Sequence, residues 1–138
     1  MFRLAPLLSI LLLHPIAVLP SPAPRHSLSS SQAEHLALAA LNAQQKRLPG
    51  LEAEQFMDPN SSRFLFFTIY WAAGEKQSVV VDNFAVDPYT GDVWSSVASC
   101  LEESNPSLRA LQIRMRHFLG LSRAEYRQIK SKGPLCDE

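Results

Sequence analysis

The spacing of apolar and polar positions predicts a β-rich middle between helical ends. The strongest strand signal is at 63–71, RFLFFTIYW, where aromatic and β-branched side chains dominate both faces of an extended chain. Turn residues follow at 73–75 and again at 87–92. Because short turns can join only antiparallel neighbours, this pattern predicts a meander, completed by a weaker first strand at 51–57 and a last strand ending near 97.

Both faces of the 63–71 strand are apolar, so both need a cover. A preceding helix accounts for one face. Two covers are open for the other face. One is the C-terminal segment of the same chain, and the other is a partner protein or a second copy that binds an exposed apolar patch.

A helix is predicted immediately before the strands. Ser31 and Glu34 have the spacing of a capping box, so the helix should begin there and continue to about Leu48, before a Pro-Gly pair. Small and apolar residues at helical spacing predict its buried face, and they are Ala33, Ala37, Ala40, Leu41, Gln44 and Leu48.

The pair Lys46–Arg47 allows two interpretations. In the last turn of the helix, the two positive charges complement the helix dipole. In an exported precursor, the same pair would be a dibasic processing site, but cleavage there would separate the helix from the sheet that it covers. The structural interpretation is favoured for that reason.

Helical spacing returns in the C-terminal part of the chain. Asn105 and Pro106 fit the cap and the first position of a helix, and Gly120 ends it. Ser122 begins a second capping box, which predicts a shorter helix through about Lys130.

These elements predict an α+β fold: one N-terminal helix packed on a four-stranded antiparallel sheet, with a helical C-terminal extension. The chain divides into 1–25, a signal peptide and leader; 26–100, the helix-plus-sheet domain; and 101–138, the basic helical extension. A chain of 138 residues has room for one such domain.

The first residues resemble a secretory signal peptide more than a membrane anchor. Arg3 supplies a short positive region, and the apolar run at 4–19 is interrupted by prolines. The run is also shorter than the about 18 residues that a spanning helix needs. We therefore expect a secreted, extracellular protein without a transmembrane segment.

Export changes how two further features are interpreted. Cys100 and Cys136 are the only cysteines, and an even number in an exported chain favours one disulfide between them. Asn60 begins an Asn-Ser-Ser sequon in a turn-forming stretch, which predicts an N-linked glycan.

The charge is balanced overall but unevenly distributed. The 107–133 segment carries seven Lys or Arg residues and one Glu. One interpretation is the solvated polar face of a docked helix. The alternative is a surface that binds a heparin-like polyanion or a membrane, for which the candidate residues are Arg109, Arg114, Arg116, Arg123 and Arg127.

No motif for catalysis, cofactor binding or metal binding is present in the sequence. There is no HExxH, no Gly-rich phosphate loop and no G-x-S-x-G, and Cys and His are too few for a zinc site. We expect a protein that is not an enzyme, holds no metal or cofactor and does not bind nucleic acid.

Parts of the predicted helix and hairpin resemble the cystatin superfamily, and within it latexin and its retinoic-acid-responsive relative. LAALNAQQ at 38–45 and KQSVVVD at 76–82, running into AVDPYTG at 85–91, carry this resemblance over about 31–97. It implies a cystatin-like binding protein whose partner is a protein, a peptidase if the chain is an inhibitor. The partner-binding residues on hairpin loops or the outer sheet face would be Trp71, Gly74, Gln77, Tyr89 and Trp94.

The last hairpin also resembles PepSY propeptide domains, which have a Val-Asp-x-x-Thr-Gly-x-Val pattern. Val86, Asp87, Thr90, Gly91 and Val93 fit this pattern. The same residues favour a hairpin on physical grounds, since the Gly that follows Thr supplies the positive φ that such a turn requires.

Overall fold

The structure, a computed structural model, describes residues 26–57, 63–72, 78–95 and 101–131. Within these residues lie three α-helices, one short 3-10 helix and four strands. In chain order they are α1 (Ser30–Ala40), the 3-10 helix (Gln45–Arg47), β1 (Leu51–Phe56), β2 (Leu65–Ala72), β3 (Ser78–Val86), β4 (Val93–Ser95), α2 (Pro106–Phe118) and α3 (Arg123–Lys130). The predicted α+β class is confirmed.

The four strands form one antiparallel sheet in the order β1-β2-β3-β4, which is the predicted meander. A β-bulge interrupts the pairing of β2 and β3 beside Ile69 and Tyr70. Beyond β4, the chain returns as a short extended segment in which Glu102 forms a bridge with Trp94. This segment covers the outer edge of β4.

One face of the sheet carries α1, and α2 packs beside that helix. The core between the helices and the sheet consists of buried apolar residues from α1, α2, strands β2 to β4 and the positions next to these helices: Leu28, Ala33, Leu36, Ala37, Ala40, Leu41, Phe67, Ile69, Phe84, Val86, Val93, Leu108 and Leu119. The small alanines of α1 lie among them, as the helical spacing predicts.

The first helix begins earlier than predicted. Ser29, not Ser31, is its N-cap: the Ser29 hydroxyl accepts from the Gln32 backbone N–H at 3.3 Å, and the Gln32 side chain accepts from the Ser29 backbone N–H at 2.9 Å. The motif is still a capping box, shifted along a serine-rich stretch.

The same helix also ends earlier than predicted, at Ala40 instead of near Leu48. The reason is Asn42, whose side-chain oxygen accepts from the backbone N–H groups of Gln44 and Gln45, each at 2.9 Å. An Asn side chain that bonds to nearby backbone in this way competes with helix continuation. The cations of Lys46–Arg47 therefore lie in the 3-10 helix.

The caps of the two C-terminal helices are confirmed. Asn105 caps α2 by accepting from the Leu108 N–H at 3.0 Å, and Ser122 with Glu125 forms the capping box of α3. The Asn105 amide also donates to the carbonyl oxygens of Ala39 and Ala40, at 2.9 and 3.0 Å. One side chain therefore begins α2 and satisfies the end of α1.

This link changes the predicted arrangement of helices. The prediction was one helix on the sheet followed by an extension, whereas α2 shares the helix layer with α1 and buries Leu108 completely. The cystatin-like arrangement is not confirmed.

Several predicted features fall outside the described residues. They are the leader at 1–25, the sequon at Asn60, the hairpin positions Gly74 and Gln77, and the cysteines Cys100 and Cys136. In the part of the chain that is described, no helix has the length and apolar character required to cross a membrane.

Candidate functional site

Buried polar residues are concentrated in the turn between β3 and β4. The Asp87 backbone closes this turn, since its N–H donates to the Asp92 carbonyl at 2.9 Å and its carbonyl accepts from the N–H groups of Gly91 at 2.8 Å and Thr90 at 3.4 Å. The Asp87 carboxylate accepts from the Tyr89 N–H at 2.8 Å, and Gly91 has a φ of +72°. The predicted positive-φ turn is therefore present.

Two arginines distant in sequence pair with the carboxylates of this turn. Arg63 pairs with Asp87 and Arg116 pairs with Asp92, each across 24 residues of chain. Both aspartates are 0% exposed, whereas the two arginine side chains are each 26% exposed. The pairs tie the residues just before β2 and the last turn of α2 to the same turn.

Arg116 makes further contacts that attach the last helix. Its Nε donates to the Thr90 carbonyl at 3.0 Å, and its guanidinium lies 4.3 Å from the centre of the Tyr126 ring. The Tyr126 hydroxyl in turn donates to Asp92 at 3.2 Å. Beside them, the buried Gln112 amide donates to the Gly91 carbonyl at 3.0 Å. Together α2, α3 and the turn form one polar network.

Asp92 is the residue of this network whose negative charge is disfavoured by burial. Burial raises the pKa of its carboxyl above the ordinary value, while Arg116 and Lys130 act in the opposite direction. Within the described residues, its second carboxylate oxygen is buried and has no hydrogen-bond partner. The cost of removing the Asp92 carboxylate from water is therefore only partly offset by its charged and hydrogen-bonding partners.

The raised pKa of Asp92 predicts a pH dependence of stability. An acid whose pKa is higher in the folded state binds protons more readily when folded, so stability should fall as the pH rises from 3.8 through the folded-state pKa. Within that window the loss is at most about 1.4 kcal/mol per pH unit. Urea unfolding from about pH 4 to pH 7 measures this slope.

The control for this pH dependence is Asp92→Asn, which removes the titrating group and should flatten the slope in that window. Burial also raises the pKa of Glu103, with the Asp82 carboxylate adding to the shift. Glu103→Gln therefore separates the second contribution. An unchanged slope in Asp92→Asn would contradict the assignment to Asp92.

A cleft of about 450 Å³ opens on the surface beside this network. One wall is a face of α2, and the other comprises the segment after β4 together with α3. The lining residues are Glu102, Glu103, Ser104, Arg109, Gln112, Ile113, Arg116 and Tyr126. The segment after β4, α2 and α3 follow one another in the chain, and the cleft forms where they pack together.

The charged groups of the cleft are mostly engaged with neighbours. The Lys130 ammonium pairs with Glu102 at 2.5 Å, and Arg109 donates to the Ser104 hydroxyl at 2.8 Å. Ile113 lies among these charged residues and is 66% exposed. The cleft therefore presents an apolar side chain in a rim of both positive and negative groups.

The predicted partner-binding residues are not brought together. Trp94 is buried and packs edge-on against Phe64 on the outer sheet face, with ring centres 5.5 Å apart. Trp71 is half-buried, and its indole N–H finds no acceptor in the described part of the chain. Tyr89, 38% exposed on the turn, is the most accessible of the three.

The outer sheet face is covered in part. Phe64, Phe66 and Ala85 are buried with Trp94 in a second apolar cluster. Two side chains of this face remain accessible: Phe56, 41% exposed, lies with its ring 5.4 Å from that of Phe66, and Val80, 51% exposed, lies opposite Tyr70 further along the sheet. The predicted exposed apolar patch is therefore present only in part.

The described residues form no candidate metal site. Among the residues that the structure describes, no group of three or more His, Cys, Asp or Glu side chains is placed to hold an ion.

The sequence prediction missed the polar network. Asp87 and Asp92 were predicted only as residues of a turn, but both are completely buried. A signal was present: each aspartate adjoins a valine of a strand, Val86 and Val93, and those valines are buried in the core. Carboxylates so close to a core require partners.

Comparison with known proteins gives one informative result. No protein-family model matches the chain, and no curated protein matches it. The chain is similar to a chain in the structure of a type VI secretion system effector–immunity complex from Pseudomonas protegens, with 28% sequence identity and a TM-score of 0.58. The similarity covers 81% of this chain and 92% of that chain.

This result overturns the resemblance to cystatins and latexin, and with it the peptidase-inhibitor interpretation. The geometry explains the error. The 38–45 segment that carried the resemblance is not one helix, because α1 ends at Ala40 and Asn42 begins a new turn.

The polyanion-binding alternative is also wrong, since the similar structure is a protein–protein complex. Arg116 is bound to Asp92 and covers Tyr126, so it is unavailable to a polyanion. The other four predicted residues, Arg109, Arg114, Arg123 and Arg127, are exposed, and Arg109 lines the cleft.

Proposed function

We propose that this chain is a non-catalytic protein that binds another protein in a specific complex, as one member of a pair of the effector–immunity kind. The observation that carries the proposal is the similarity to a chain of such a complex over 92% of that chain's length. Because nearly the whole domain is similar, the likeness does not rest on one motif or one hairpin.

The cleft supports binding in preference to catalysis. Acid–base catalysis needs a group that is free to exchange a proton with the substrate. Here Arg116 pairs with Asp92 and Glu102 pairs with Lys130, so these charged groups are already bonded to partners within the protein. Such mutually bonded groups favour a fixed docking surface.

The composition of the cleft also suits a protein partner. Interfaces commonly combine a few well-placed apolar anchors with a polar rim. Ile113 is the exposed apolar group, and Arg109 and Glu103 supply rim charges of opposite sign. A partner segment that carries both apolar and charged side chains would match it.

The test begins with capture of partners by the purified chain and continues with each captured protein purified separately. We expect one of them to form a saturable complex with a Kd below about 1 µM by calorimetry. The proposal is wrong if no purified protein binds saturably, whatever the capture yields.

The cleft is then tested by Ile113→Asp, which should weaken that complex by about tenfold or more because it places a charge at the apolar anchor. Ile113 is largely exposed, so the change should leave the unfolding midpoint nearly unaltered. Arg114→Glu is the matched control, since Arg114 is exposed on α2 but does not line the cleft. Equal affinities for the two variants would exclude the cleft as the interface.

A further inference from the structure

One edge of the sheet is covered by other parts of the chain, and the other edge is open within the described residues. The outer edge of β4 is covered by the returning chain, where the Ser95 N–H donates to the Leu101 carbonyl at 3.0 Å and the Glu103 N–H donates to the Val93 carbonyl at 2.8 Å. On the opposite side, β1 pairs with β2 alone, and within the described ranges no strand lies on its outer side. An open edge of this kind presents unpaired backbone donors and acceptors.

The side chains of β1 alternate between partly buried and exposed over its first four residues. Leu51 and Ala53 are partly buried and pack against the core beneath the helices. Glu52 and Glu54 are exposed on the other face, opposite Tyr70 and Thr68 of β2. A strand added at this edge would therefore meet apolar side chains on one face and two carboxylates on the other.

This pattern disfavours a second copy of the chain as the occupant. In an antiparallel pairing of two β1 strands centred on Glu52, Ala53 or Glu54, a glutamate of one copy lies directly opposite a glutamate of the other. Like charges directly opposite one another destabilise a strand pair. The same positions would be stabilised by Lys or Arg on the added strand.

We propose that the outer edge of β1 accepts a strand from the protein partner, one in which Lys or Arg alternates with apolar residues. Backbone hydrogen bonds would supply the pairing, and Glu52 and Glu54 would select the basic residues. Charged edges also protect sheets against aggregation. Glu52 and Glu54 can serve both purposes, because they disfavour pairing with another copy of this chain and favour pairing with a basic strand. The inference rests on the proposed function only in assigning this strand to the partner.

The probe is a synthetic peptide of about eight residues with alternating Val and Lys, added to the isotope-labelled protein up to about 1 mM. We expect saturable protection from hydrogen exchange at those β1 amides that do not bond to β2. A peptide with the same side chains but N-methylated on one edge should give no protection, because it cannot complete the backbone bonds.

A charge exchange tests the selectivity. The Glu52→Lys/Glu54→Lys variant should bind the Val–Lys peptide at least about tenfold more weakly and should gain affinity for a Val–Glu peptide. Three results would overturn the inference: no protection of β1, equal binding of the N-methylated peptide, or self-association of the unmodified protein through β1.

The outcome for this edge is separable from the outcome for the proposed function. If a reconstituted partner binds the wild type and the Glu52→Lys/Glu54→Lys variant equally, the edge inference fails and protein binding stands. If no partner is found, the peptide experiment still decides whether the edge accepts a basic strand.

Discussion

Replacing Arg116 by alanine should lower the free energy of unfolding by about 3–5 kcal/mol, because removal of one member of a buried ion pair leaves an uncompensated charge. The charge left behind is Asp92, which is completely buried and already has one carboxylate oxygen without a partner in the described chain. The variant also loses the bond to the Thr90 carbonyl and the stacking on Tyr126. Turn, α2 and α3 would therefore loosen together.

Urea denaturation followed by circular dichroism measures this loss, with Arg114→Ala as the control. Arg114 belongs to the same helix but is exposed, so its removal should change stability by no more than about 0.5 kcal/mol. The cost of Arg116→Ala should shrink as the pH falls, since protonation of Asp92 removes the uncompensated charge. A cost below about 1 kcal/mol at neutral pH would mean that the pair behaves as a surface ion pair.

The contrast between these two arginines shows why the charge pattern alone was misleading. The sequence places five arginines in the 107–133 segment, and nothing local distinguishes Arg116 from its neighbours. Its role is determined by Asp92, 24 residues earlier, and by the approach of α3. An interaction between such distant residues depends on the fold and leaves no periodic signal.

Local chemistry, by contrast, was predictable. Asn105 with Pro106 and Ser122 with Glu125 form the expected helix starts, because capping joins residues only three positions apart. The start of α1 was displaced because several adjacent serines can serve as caps. In the structure Ser29 is the cap, and Gln32, three residues on, completes its capping box.

The meander and its turn were also predictable, and the candidate site was not. Strand order follows from short connections, which constrain neighbours to be antiparallel. The cleft requires α2, α3 and the segment near Glu102 to pack against one another, and although the three are consecutive in the chain, their local patterns do not specify how they pack. The same holds for the interaction of Asn105 with the end of α1, which places α2 in the helix layer.

The turn itself offers the second large effect. Gly91→Val should lower the free energy of unfolding by about 2–5 kcal/mol, since a left-handed conformation costs an L-residue about 1–2 kcal/mol and overpacking adds about 1–3 kcal/mol. A Cβ at Gly91 would lie 3.5 Å from the Leu36 side chain and 3.8 Å from those of Leu28 and Met115. One carbon fits these distances, and the branches of valine do not.

Gly120 provides the comparison that separates backbone strain from packing. It has a φ of +63°, close to the +72° of Gly91, but nothing lies within 4 Å of a Cβ built there. The two alanine variants should therefore lose similar stability, about 1–2 kcal/mol each. The valine variants should differ, with the additional loss confined to Gly91. Equal losses for both valine variants, measured by urea denaturation, would show that α1 and α2 do not close tightly on this turn.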